Sequence, residues 1–466
     1  MSEATETPVA ETPAPSDPVL VALPSPAPEA EPVACLPRGF RALGATIGIK
    51  ASGKPDLLVI ATDGEPAAAA GVFTRNAFAA APVRLTRAHL AETAPEGHGG
   101  FGWASAIVGT SGSANAATGA PGDADQAHIA SALAAALGVA SSQVLAMSTG
   151  VIGLRLPVEL VTGALAARVP GDLAATDEAF AAAGRSIMTT DSRAKSATVR
   201  VSLPAPDGSP VEVTVSGVAK GVGMIHPGMA TMLSVILTDA AVEPATLHRL
   251  LRPAAAFTWN QTSVDGDTST NDTVLVLASG ASGAAPVVPG ETATILGAAL
   301  HGVARSLARQ QAADGEGAST LITCQVSGAA DGADARAVAR AVVSSSLFKA
   351  AVHGRDPNWG RIAGAAGNAR LPDAAVLGAA GLPADQAAAR AGSAPAISPE
   401  RMQIAIAGHL TYAGQPVAFD KAAASAAMNV PEILVRLDLG LGNGSGEAFG
   451  CDLTEEYVRE NSEYTT

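Results

Sequence analysis

A threonine hydroxyl is a weak nucleophile without a base beside it, and residues 219–239, AKGVGMIHPGMATMLSVILTD, offer a way to supply one from the backbone. A segment punctuated by Gly and Pro runs straight into a buried-strand pattern that begins at Thr231. A cut between Ala230 and Thr231 would free an α-amino group, of ordinary pKa roughly 7.7 to 8.0, on the residue that carries the hydroxyl. Attack of the Thr231 hydroxyl on the Ala230 carbonyl would make that cut, eased by the small Ala230 and a strained loop. On spacing alone, the plainer reading is a loop entering a strand with a surface-side threonine.

Other polar residues say less by themselves. Lys220 in AKG and Glu316 in DGEGA read as solvated charges, the usual fate of lone Lys and Glu. STGVIG, 148–153, reads as a strand-to-turn connection. VDGDTSTND, 264–272, hints at a calcium loop but lacks the Gly at the sixth position and the Glu at the twelfth, which leaves a turn network. GLGNGSG, 440–446, does not match GxGxxG with a following helix and reads as a flexible connection. His226 and His353 have no ligand partners at helical spacing, and Cys35, Cys324 and Cys451 are odd in number with no CxxC, so neither a metal site nor a disulfide framework is indicated.

The elements that must position these groups alternate between strand and helix. DLLVIATD, 56–63, reads as a strand, and 123–138 as a helix with Asp123 as N-cap and Gly138 at its end. TVRVSL and VEVTVSG, 198–203 and 211–217, flank a turn-rich PAPDGSP and predict an antiparallel hairpin. TMLSVILTD, 231–239, predicts a buried strand, and helices are expected around 292–310 and 333–352. The fold class is therefore α/β or layered α+β. Residues 1–36 are rich in Pro, Ala, Glu and Thr without a period and are expected to be a disordered tail. A net charge of -14 disfavours nucleic acid and anionic membrane as partners and leaves small molecules. No run approaches the roughly 18 apolar residues of a membrane helix, and the acidic start does not read as an export signal, so the cytoplasm is expected.

The stretch AKGVGMIHPGMATML resembles the cleavage region of the glutamate N-acetyltransferase (ornithine acetyltransferase) family, whose pattern runs approximately AKGSGMIxPNMATML. GFRALGATIGIK, STGVIG, MTTD, VDGDTSTND, DGEGA, GRDPNWGRI and CDLTEEYVRENSEYTT resemble family segments in the same order, so the resemblance spans the chain after the tail. It implies self-cleavage into an α chain, 37–230 after the tail, and a β chain, 231–466, in a fold of mixed sheets. It implies Thr231 as nucleophile, with Thr149 and Gly150 as the oxyanion pair. Thr189, Lys220, Thr231, Glu316, Asn461 and Thr466 are the implied substrate contacts, with Lys220 on a substrate carboxylate and Glu316 on a substrate ammonium.

The implied reaction carries acetyl from N2-acetylornithine to glutamate by a ping-pong route. It needs no cofactor, although acetyl-CoA is a possible co-substrate. The implied assembly is an α2β2 heterotetramer. Gly228 where the family has Asn, His226 before Pro227, and Ser319 and Thr320 where Lys is usual leave room for a paralogue acting on another N-acyl amino acid. A related self-processing amidase or aminopeptidase, and a cleaved binding protein, are the rival readings.

Overall fold

The strand-like runs gather into three sheets in a computed structural model that describes residues 27–226 and 232–463. The first sheet has the order Phe40–Ala45, Leu57–Thr62, Ala106–Ser113, Val144–Val151. The central sheet runs Phe101–Ala104, Ala67–Phe73, Thr273–Ala278, Leu233–Thr238, Pro210–Lys220, Lys195–Pro204. The third runs Thr262–Ser263, Gly444–Cys451, Leu321–Ala329, Glu432–Asp438, Gln403–Ile406, His409–Ala413. Parallel and antiparallel pairings mix in all three.

Side chains alternate across a strand, and here both faces are buried, which explains the unbroken apolar runs. Leu233, Val235 and Leu237 join Leu58, Ile60 and Leu145 in a core shared by the first and central sheets. On the opposite face Ile236, Val274 and Val276 pack with Leu250, Leu300 and Val303 of helices Pro244–Phe257 and Glu291–Ala313. Leu57 and Val59 face Ile129, Leu133 and Leu165 of helices Gly119–Leu137 and Val158–Arg168. The result is a four-layer stack: helices, sheet, sheet, helices. The third sheet has its own core with helices Gly332–Val343 and Ser346–His353.

Sequence order in the central sheet bears on function. Leu233–Thr238 and Thr273–Ala278, both downstream of residue 231, lie between upstream strands on either side. Leu233–Thr238 pairs with Pro210–Lys220 in a register that sets Leu233 opposite Lys220, and Thr273–Ala278 pairs with Ala67–Phe73.

The 195–220 hairpin forms as read from the sequence, with ten paired positions between Lys195 and Pro204. Three expectations need correction. The helix expected from Asp123 begins at Gly119, because Pro121 fits its first turn, where its missing N–H costs nothing, while Asp123 pairs with Arg84. Gly138 does end that helix, at φ 71°. The expected helix over 333–352 is two, since the Ser345 hydroxyl accepts from the Phe348 amide and starts a new one. The 440–446 connection ends by entering the strand Gly444–Cys451.

Of the expected tail, residues 1–26 lie outside the described residues. Residues 27–36 are held, with Glu31 and Thr198 exchanging backbone hydrogen bonds of 2.9 and 2.8 Å and the Cys35 amide donating to the Ser216 hydroxyl at 3.1 Å.

Candidate active site

Thr149 and Gly150 stand near the end of the strand Val144–Val151, where its pairing with Ala106–Ser113 shifts register. Gly150 has φ 131°, and a Cβ there would lie 2.4 Å from the Gly112 carbonyl carbon, so only glycine fits this turn. Thr149 is buried, and its hydroxyl accepts a 3.2 Å hydrogen bond from Lys220 Nζ. Lys220 is the last residue of the strand Pro210–Lys220 and is itself buried. Its carbonyl accepts from Gln311 Nε2 at 2.7 Å, and Trp259 Nε1 donates to Gln311 Oε1 at 2.8 Å.

Behind Lys220 lies a buried charge network. Asp191 accepts from Lys195 Nζ at 2.6 Å, from the Gly221 amide at 2.8 Å and from the Thr189 amide at 3.0 Å. Lys195 Nζ also donates to Asp314 at 2.6 Å. Burial alone would raise the Asp191 carboxyl, but Lys220 and Lys195 outweigh it and hold the group down to about 2. Lys220 is pushed the other way, below the ordinary lysine value by burial, with Asp191, Glu316 and Asp272 partly restoring it and Lys195 adding to the loss. Lys50 donates to the Met188 carbonyl at 3.0 Å, and burial lowers its pKa too.

Glu316 opens the more exposed part. Its amide donates to the Val222 carbonyl at 2.9 Å, and its carboxylate accepts from the Thr190 hydroxyl at 2.9 Å and Asn461 Nδ2 at 3.0 Å. A Cβ on Gly223 would lie 2.2 Å from Glu316 Oε2, so a side chain there would displace the carboxylate. Asn461 belongs to the helix Glu455–Glu463, which brings the end of the chain back to the site.

Of the residues singled out from the sequence, Thr149, Gly150, Thr189, Lys220, Glu316 and Asn461 thus form one connected neighbourhood. Ala230, Thr231 and Thr466 lie outside the described residues. Lys220 is buried, not the solvated charge its isolation in the sequence suggests. Asp191, Lys195, Asp314, Lys50 and Gln311 were not assigned from the sequence. Asp191 ends the MTTD stretch, but its lysine and aspartate partners converge only in the fold, with Asp314 119 positions from Lys195. His226 donates to or accepts from the Ser263 hydroxyl at 3.1 Å, and burial holds its pKa to about 4. His353 meets Glu455 at 3.1 Å and Asp452 at 3.4 Å.

This geometry suits stabilisation of a developing oxyanion. A lysine ammonium carries three donors, so Lys220 can hold the Thr149 oxygen and leave that hydroxyl proton to point at a ligand. Among the described residues no group of three or more His, Cys, Asp or Glu is arranged to hold a metal ion, and no helix is long and apolar enough to cross a membrane.

Comparison with known proteins gives consistent matches. The ArgJ family profile matches residues 41–466. The arginine biosynthesis bifunctional protein ArgJ of Synechococcus sp. is 44% identical over 442 residues, covering 92% of this chain and 96% of its own. The protein of the same name from Deinococcus radiodurans is 42% identical over 436 residues, covering 93% and 99%. Among solved structures, the ornithine acetyltransferase of Mycobacterium tuberculosis complexed with ornithine is 39% identical, with a TM-score of 0.36, over 41% of this chain and 92% of that one.

Proposed function

The chain belongs to the ArgJ family, and on that premise we propose that it moves acetyl from N2-acetyl-L-ornithine to L-glutamate through an ester on Thr231, freed by self-cleavage. One observation carries the reading. The buried Lys220 holds Thr149 beside Gly150, and the same Lys220 stands opposite Leu233, two residues past the proposed nucleophile.

In processing, the Thr231 hydroxyl attacks the Ala230 carbonyl. A C–O bond forms, the Ala230 to Thr231 C–N bond breaks, and the proton passes to the amine. Water then opens the ester to leave an Ala230 carboxylate and a free Thr231. In transfer, the Thr231 amine takes the hydroxyl proton as the oxygen attacks the acetyl carbon. The Thr149 hydroxyl and the Gly150 N–H receive the oxyanion. Ornithine leaves with the proton, and the glutamate amine then attacks the ester: its C–N bond to acetyl forms, the C–O bond to Thr231 breaks, and the amine's proton returns to the Thr231 oxygen.

Lys220 has donors left for the substrate carboxylate, and Glu316 has lone pairs left for the ornithine ammonium. The interleaved central sheet supports a product of two chains, 1–230 (with 37–230 following the tail) and 231–466, that stay together, because neither could leave without breaking strand pairs. Thr189, Asn461 and Thr466 complete the substrate contacts. An α2β2 assembly, optional use of acetyl-CoA and a cytoplasmic setting complete the reading, the last supported by three unpaired cysteines.

The test is the intact mass of purified wild type and Thr231→Ala, followed by product formation with and without glutamate. Two chains in the wild type, one beginning at Thr231, an uncut variant and glutamate-dependent transfer are expected. A single uncut, active wild-type chain would end the Thr231 reading. Equal release of ornithine with water as acceptor would instead identify an amidase.

A further inference from the structure

The loop 264–272 has no part in the chemistry above, yet its polar side chains grip three places around it. Asp265 accepts from the Ile225 amide at 3.0 Å and from the Met224 amide, just upstream of residues 227–231. Met224 sits at φ 55°, a left-handed conformation that a residue with a Cβ keeps only where its surroundings hold it. The Val264 amide adds a 2.8 Å bond to the Ile225 carbonyl. At the other end of the loop, Asp272 accepts from the Met232 amide at 3.0 Å, immediately downstream. Between them, Asn271 Nδ2 donates to the Ala114 and Ser148 carbonyls at 2.7 and 2.8 Å, fixing the residue before Thr149.

Asp272 is fully buried, and its second carboxyl oxygen has no partner among the described residues. A buried carboxyl with one oxygen unsatisfied is costly. Burial drives the carboxyl well above its ordinary value, opposed by the Met232 amide and by Lys220, whose strand lies beyond Leu233–Thr238 in the central sheet.

We propose that Asp265 and Asp272 are the two jaws of a clamp. They hold the chain on either side of residues 227–231 in register for the cut before Thr231, and Asp272 goes on positioning Thr231 during acetyl transfer. This rests on Thr231 as nucleophile. The Met232 nitrogen is bonded to the Thr231 carbonyl carbon at about 1.33 Å, so the Asp272 contact is transmitted to Thr231 through one rigid peptide plane. After the cut, Met224 and Ile225 belong to a different chain from Thr231. The Asp265 jaw then no longer pulls on the nucleophile's chain, whereas the Asp272 jaw still does. Both are positioning residues, and they should separate in kinetics.

The experiment follows processing of full-length protein after a pulse of cell-free synthesis, by intact mass against time, and then measures transfer by the cut fraction. Asp265→Ala and Asp272→Ala should each slow the cut about tenfold or more, since misplacement near 1 Å costs about a hundredfold. Asp272→Ala should also lower kcat about tenfold to a hundredfold with the KM for N2-acetylornithine unchanged, and more than Asp265→Ala does. Asp272→Asn, which keeps an acceptor for the Met232 amide, should recover part of both losses. Wild-type cutting rates in both alanine variants, or a change confined to KM, would overturn the clamp while leaving the Thr231 reading intact. A wild type that is never cut would overturn both.

Discussion

Lys220 and Glu316 carry opposite charges in one site, but their surroundings differ. Lys220 is buried at the end of a central strand, and Asp191, Lys195 and Asp314 complete a closed network behind it. Glu316 lies in a loop, half-buried, and shares its carboxylate with Thr190 and with Asn461, both exposed. In the dry half, Asp191, Lys195 and Asp314 have fixed partners and electrostatics act at low dielectric, which suits transition-state stabilisation. In the wet half, side chains can yield, which suits discrimination between ornithine and glutamate. The division implies that changes near Lys220 strike kcat or stability, and changes near Glu316 strike KM.

The largest effect should come from Thr149→Val, which keeps shape and removes the hydroxyl proposed to meet the oxyanion. Loss of one such donor is worth about 10²–10³ in kcat, read in a steady-state transfer assay at saturating N2-acetylornithine. A loss in KM alone would erase the distinction between the halves. Lys195→Met leaves Asp191 and Asp314 buried without their shared cation. It should cost about 3 to 5 kcal/mol of stability, read by denaturant unfolding; an unchanged midpoint would show that the network is not structural.

In the wet half, Glu316→Gln should raise KM for N2-acetylornithine about tenfold, the equivalent of one charge-assisted hydrogen bond, and raise KM for glutamate much less. Equal losses would remove Glu316 from the ammonium. The smallest effect concerns pH. His248 and His301 are held neutral by burial, with folded values of about 4 against an ordinary 6.5. Between those values the unfolded chain binds more protons, so stability should fall as pH drops from roughly 6.5 towards roughly 4. Asp265, pushed up to about 6 by burial, acts in the opposite sense as pH falls through that value. His248→Gln should flatten the decline of Tm with pH; an unaltered slope would place the acid sensitivity elsewhere.

The sequence showed its sheets readily, because strands such as Leu57–Thr62 and Leu233–Thr238 are buried on both faces and read as apolar runs. The 195–220 hairpin announced itself through its turn. The turn at Gly150 did not, since the need for glycine there arises from the Gly112 backbone opposite it. Lys220 looked like any surface lysine, because burial comes from helix Glu291–Ala313 and the Asp191 network, both remote in the chain. Family resemblance, not spacing, singled it out. Asp272 was legible only as part of a turn-rich stretch, and its contact with Met232 exists only once two parallel strands lie side by side.

In the proposed reaction, acetyl rests on the freed Thr231 between two half-reactions. The direct measurement is to mix processed protein with N2-acetylornithine in the absence of glutamate and take the intact mass of both chains. One acetyl is expected on the chain beginning at Thr231, with ornithine released in equal amount and the acetyl lost on adding glutamate. No adduct, with ornithine appearing only when glutamate is present, would contradict it and require direct transfer between two bound substrates.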